Sequence, residues 1–237
     1  MNLMMFHTLV SHPAPRTAGW SCLKGQVLAL GLLVAAMLVA TPATANQHGD
    51  PVFKPTVGDG IAAAREGRFH DAIAIWEPHA ADGNAVAHYG LGLTYSKERG
   101  PDMPARPMLS HLHYQAAATA GHVSAIFEVA FQFERGVGTE MDMDKALAFY
   151  RIAAAKNHLN AQYNLAVLLS HGGRVEPNLR EAFFWITAAQ HNASVWPRGE
   201  LTFEKVSELA RIIRAKVPHQ TASKAGRAAT RLTGQPI

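Results

Sequence analysis

Residues Tyr114–Gly138 read YQAAATAGHVSAIFEVAFQFERGVG, and Tyr150–Arg174, 36 positions on, read YRIAAAKNHLNAQYNLAVLLSHGGR. Set in register, Tyr114 falls on Tyr150, His122 on His158, Ala125 on Ala161 and Phe127 on Tyr163. An earlier copy, WEPHAADGNAVAHYGLGLTYSKERG from Trp76, lies 38 residues before, with Trp76 on Tyr114, Gly83 on Gly121 and Ala87 on Ala125. A further copy opens at Ala182 and Trp185 and loses the pattern after Asn192. Such a recurrence marks stacked units, none of which can bury its apolar face alone.

Within each copy the apolar spacing is helical. Ala125, Val129 and Phe133, like Ala161, Leu165 and Leu169, stand at i, i+4 and i+8. Asp142 and Asn178 precede Ala146 and Ala182 at equivalent positions and suit helix N-caps. Gly136 with Gly138, and Gly172 with Gly173, suit the C-terminal turns. Each copy therefore reads as two antiparallel helices, with Ala117, Ala153 and Ala188 small enough for helices to touch there. The predicted fold is all-α, a solenoid (α/α superhelix) of about four helix-turn-helix repeats over 58–217. Gly60–Phe69 reads as a short entering helix, and Leu201–Val217 as a closing helix with Phe203, Val206, Leu209, Ile212 and Ile213 inward. Beyond Pro218, with Lys224, Arg227 and Arg231 and little to bury, a disordered basic tail is expected over 218–237.

The first segment follows different rules. No acidic residue precedes Asp50, Arg16 and Lys24 are positive, and VLALGLLVAAMLVA runs from Val27 to Ala40 before Pro42 and Ala43-Thr44-Ala45. This order predicts a secretory signal peptide over 1–45, cleaved after Ala45, with 46–57 a short linker. Fourteen apolar residues rise only about 21 Å as a helix, short of the roughly 30 Å hydrocarbon core, so no stable membrane insertion is expected after cleavage. The expected location is periplasmic or secreted. Cys22, the one cysteine, leaves with the signal, which removes disulfide, thiolate and thiolate-metal chemistry from the mature chain.

The whole chain of 237 residues is 48% hydrophobic and 17% charged, with a net charge of +4, which excludes wholesale disorder and gives no concentrated basic face for nucleic acid. No Gly-Lys-Ser/Thr phosphate loop, G-x-S-x-G or H-E-x-x-H occurs, so no catalytic residue or cofactor is assigned. Glu140, Asp142 and Asp144 lack the glycine and distant glutamate of a calcium loop. Histidine is abundant at 13, but His111 and His113, at i and i+2, diverge on a helix, and no metal site is assigned. The histidines instead suggest a surface charge that responds to mild acid.

The repeat resembles the Sel-one-like repeat family, a relative of the tetratricopeptide repeat. The residues that carry the resemblance are Ala87–Gly92 with Tyr95, Gly136-Val-Gly138, Asp142 to Ala146, and Phe149-Tyr150 to Ala153-Ala154. Ser110 departs from the alanine and Asn157 from the glycine of the pattern, and the Gly100–Pro107 loop holds three prolines. Alignment with tetratricopeptide helices implies a concave groove lined by Val86, Tyr89, Leu93 and Lys97, then Ser124, Phe127, Phe131 and Arg135, then Asn160, Tyr163, Val167 and His171. An aromatic ladder of Tyr89, Phe127 and Tyr163, rimmed by Lys97 and Arg135, suits a peptide with a charged end. The same aromatics also fit a purely packing role. The resemblance implies a non-enzymatic adaptor that binds another protein, an envelope or secreted one. The alternative is an enzyme or binder acting on cell-wall material such as peptidoglycan.

Overall fold

The computed structural model describes residues 54–172, 174–195 and 201–233. The expected signal peptide, most of the linker and residues 234–237 lie outside the described residues.

Ten helices and no strand occur among the described residues: α1 Val57–Arg65, α2 Phe69–Ala81, α3 Ala85–Tyr95, α4 Pro107–Thr119, α5 Val123–Arg135, α6 Met143–Ala155, α7 Leu159–His171, α8 Leu179–Val195, α9 Phe203–Lys216 and α10 His219–Thr233. No described helix is long and apolar enough to cross a membrane. From α1 to α9 each helix packs on the next, and α10 packs on α8. The fold is a helical solenoid, as the repeat predicts.

The boundaries follow local chemistry. Asp142 caps α6 by accepting the Lys145 N–H at 2.9 Å, and Asn178 caps α8 by accepting the Glu181 N–H at 3.0 Å. These bonds satisfy donors that the first helical turn otherwise leaves unpaired. At the turn between α6 and α7, Asn157 takes φ +62, where the corresponding Gly121 has φ +88 and Gly83 +80. Asn is one of the few side chains that tolerates this left-handed conformation, which is why the departure from glycine is harmless.

Packing is set by one ring per repeat. Trp76, Tyr114 and Tyr150 are 3%, 1% and 0% exposed, each on an even-numbered helix. A Cβ added at Gly90 would lie 2.8 Å from the Trp76 ring, and one at Gly92 would lie 2.5 Å from Tyr114. Glycine is therefore required there by the rings, not by backbone torsion. Ala125, Val129 and Phe133, and Ala161, Leu165 and Leu169, are all buried as their spacing predicts. Ser110, in the place of an alanine, is fully buried and donates to the Gly92 carbonyl at 2.8 Å.

Three expectations are corrected. The entering helix ends at Arg65, Gly67 turns the chain at φ +79, and Phe69 begins α2, so residues 57–81 form a complete helical pair. In α9, Val206, Leu209, Ala210 and Ile213 are buried, whereas Phe203 and Ile212 are 44% and 39% exposed. At 100° per residue the latter two fall at either edge of the buried arc. The tail expected to be disordered contains α10, which buries Ala222, Ala225 and Ala229 against α8. Alanine favours helix and lets two helices approach closely, so a segment without large side chains still docks.

Candidate protein-docking face

The predicted groove residues lie on α3, α5 and α7 and the residues just after α3, but they do not form a uniform ladder. Tyr89, Phe127, Phe131, Tyr163 and Val167 are half-buried and pack against the core, while Leu93, Lys97, Arg135 and His171 are exposed. Tyr89 does not stack on Phe127. Its ring lies on His122 at 4.2 Å between centroids and beside Tyr114 at 5.8 Å. Phe127 repeats the arrangement with His158 at 4.7 Å and Tyr150 at 5.8 Å. The ladder thus alternates an aromatic ring with the imidazole that caps the next odd-numbered helix.

These imidazoles are caps as well. His122 Nδ1 accepts the Ala125 N–H at 3.2 Å, and His158 Nδ1 accepts the Ala161 N–H at 3.3 Å. An accepting nitrogen must be unprotonated, and burial pushes both rings below the ordinary histidine value. His113, held low by burial and by His88, approaches that neighbour with 3.1 Å between their Nδ1 atoms. His111 points elsewhere, its Nδ1 lying 2.8 Å from Gln132 Oε1, so the two histidines diverge as their spacing predicts. His113, His122 and His158 are thus partly buried and held within the fold, whereas His70 and His171 lie exposed at the surface. Among the described residues no three His, Cys, Asp or Glu side chains gather as metal ligands.

The charges of the face are arranged unequally. Arg135 lies 5.4 Å above the Phe131 ring and 3.4 Å from Glu134, so it is anchored, not free at a rim. Lys97 is exposed, and its charge partly offsets the burial that raises the Glu128 carboxyl above the usual carboxylate range. His171 turns back on its own helix, with Nδ1 3.0 Å from Ser170 Oγ and 3.1 Å from the Val167 carbonyl. Tyr163 shares a concavity with Glu204, Leu209 and Ile212, so α9 closes this end of the face.

At the other end the face opens. A cavity of about 380 Å³ is lined by residues of α1, α2 and α3, among them Ile61, Arg65, Trp76, Val86, Tyr89 and Leu93, with Arg99 beyond α3. Tyr89, Leu93 and Val86 are legible as groove residues, but Ile61, Arg65 and Phe69 are not, because the first helical pair lacks the register of the later copies. A larger concavity of about 690 Å³ lies by α6 and the loop before α8. Its Arg151 is already bound by Glu181 through two bonds of 2.8 and 3.0 Å.

Known proteins match this architecture. The family model described as Sel1 repeat matches residues 85–122, 123–158 and 159–189, each an odd-numbered helix followed by an even one. Protein SHC1 of Saccharomyces cerevisiae is 32% identical over 112 residues, 47% of this chain and 22% of that protein. The chitin synthase regulator SKT5 of the same yeast is 32% identical over 103 residues, 42% of this chain and 14% of that protein. The chain therefore spans about a fifth or less of these curated relatives. The crystal structure of a Sel1 repeat protein from Oxalobacter formigenes is similar with a TM-score of 0.52 and 20% identity, covering 75% of this chain and 82% of that one.

Proposed function

We propose, for a chain whose residues 85–189 are three repeats of the Sel1 repeat family, that it is a non-catalytic adaptor, exported through its N-terminal segment, which holds another protein against its odd-numbered helices. One observation carries this reading. Half-buried rings on α3, α5 and α7 leave part of each aromatic surface exposed beside Leu93, Lys97 and Arg135. Partly exposed rings on a rigid scaffold lose little entropy on contact and are common anchors of interfaces. The repeats make the face rigid, because each helix is wedged between neighbours.

A photo-crosslinker placed at Leu93 or His171 is expected to capture a protein partner in cells, and one at exposed Ala148 on α6 is expected to capture little. Capture mainly from Ala148 overturns the assignment of the face. Intact-mass measurement of the chain recovered from its producing cells tests the export reading, the expected N-terminus being Asn46. A second reading, an action on wall polysaccharide or its synthesis, is favoured by the likeness to a relative named a chitin synthase regulator. Saturable binding of purified wall fragments is the outcome that supports it.

A further inference from the structure

Of the concavities on the docking face, the one between α1, α2 and α3 has a distinct chemistry. Ile61, Val86 and Leu93 line it and are 36%, 40% and 38% exposed, an unusual gathering of large apolar side chains around one hollow. Trp76 and Gly90 lie beneath them. The two charged residues of the lining are Arg65 and Arg99, and no carboxylate lines it. Among the described residues neither arginine has a carboxylate within 4.0 Å. Arg99 is nevertheless fixed: its guanidinium lies 4.5 Å above the Phe69 ring, and one nitrogen donates to the Leu93 carbonyl at 3.2 Å. A guanidinium has five N–H donors, so most remain for a ligand. Held over a ring, it also loses little freedom when it meets one.

Resting on the docking reading above, we infer that this cavity receives a linear segment of the partner in which an aliphatic or aromatic side chain stands between acidic residues. The apolar side chain enters over Trp76, and Asp or Glu side chains beside it meet Arg65 and Arg99. Hydrophobic burial supplies the anchor, and the two arginines select acidic neighbours and penalise basic ones. A volume of about 380 Å³ stands at the lower end of the roughly 300–1,000 Å³ typical of binding pockets.

The test uses a displayed library of random heptapeptides, panned on the full chain. The expected selection places Asp or Glu within two positions of Leu, Ile, Phe or Trp. A synthetic peptide of the selected sequence is expected to bind the R65E/R99E double variant at least about tenfold more weakly. The R65K/R99K variant, which keeps the charge but loses the stacked guanidinium fork, is expected to bind between the original chain and the charge-reversed variant, and circular dichroism of both variants reads their folding. Selection of neutral or basic sequences, or of none, overturns the inference, as does unchanged affinity after charge reversal. Affinity lost only in a K97E/R135E variant overturns the pocket but supports the wider docking face. A dimer in sedimentation that Leu93→Glu dissolves would assign the cavity to a second copy and also overturn it.

Discussion

The junction built by α3, α4 and α5 and the one built by α5, α6 and α7 have almost the same ring geometry but different polar wiring. Tyr114 and Tyr150 are both buried, each 5.8 Å from the aromatic of the preceding odd-numbered helix. At the second junction Tyr150 donates to Glu134 Oε2 at 2.7 Å and lies 3.4 Å from Asn164. At the first, the positions of Glu134 and Asn164 are taken by Ser96 and Glu128. Tyr114 has no carboxylate bond of this kind: the Ser96 and Ser110 hydroxyls, which donate to the Leu93 and Gly92 carbonyls, and the Glu128 carboxylate are its polar surroundings. Burial raises both phenols well above their ordinary value, so both keep their protons. The lesson is that the repeat constrains the volume and place of the ring. The polar surroundings of its hydroxyl differ from copy to copy, a carboxylate bond at Tyr150 and serine hydroxyls near Tyr114.

The largest test of this equivalence removes the rings. Tyr114→Ala and Tyr150→Ala should each cost about 3–5 kcal/mol in denaturant unfolding, as truncation of large buried aromatics does. A cost below about 1 kcal/mol at either site would end the claim that the two junctions are packed alike. Ala153→Leu, at a fully buried position of α6, should cost about 1–3 kcal/mol by overpacking. An unchanged melting temperature would refute the helix contact drawn there. Removing only the hydroxyls should separate the junctions. Tyr150→Phe removes the donor to Glu134 Oε2 and leaves that buried carboxylate only its 3.4 Å pairing with Arg135. It should cost about 1–3 kcal/mol, against less for Tyr114→Phe, which breaks no such bond. Equal losses would mean that the wiring difference has no energetic weight.

The smallest expected effect concerns the cap histidines that the junctions share. Their folded-state pKa values are lowered, so the stability they confer is fully present above the unfolded value near about 6.5 and is lost as pH falls through the folded values. Between about pH 7.5 and 5 the melting temperature should drop, by an amount that corresponds to about 1 kcal/mol for each cap lost. His122→Asn and His158→Asn keep an accepting side chain that does not titrate. Each should flatten the pH dependence, and a curve unchanged by both would show that the acid response arises elsewhere.

Much of the architecture was legible because repetition multiplies weak signals. Asp142 alone is a surface acid, but Asp142 and Asn178 in register are two caps, and both make the expected bond. Phe203 and Ile212 fit the apolar spacing of α9 yet are exposed, because spacing says nothing of how the helix is rolled. The helix α10 was missed because its buried stripe is alanine, which has helical propensity but little apolar bulk. The residues expected in the groove lie on α3, α5 and α7 and just after α3, but their contacts are not legible in the sequence. Arg135 is engaged by Phe131 and Glu134, and the open cavity lies at the opposite end, beside Arg65 and Arg99.

By itself the sequence determined that residues from Trp76 onward repeat as helical pairs, where those helices start, and which small residues stand where helices touch. These are properties of spacing and cap chemistry, which act within a few residues along the chain. Only the tertiary structure decided that His122 and His158 are both caps and stacking partners, that the two tyrosine hydroxyls have different polar surroundings, and that arginines 34 residues apart line one hollow. Such pairings depend on the rotation of each helix about its axis, and that rotation is set by the packing of whole neighbours, not by any local run of residues.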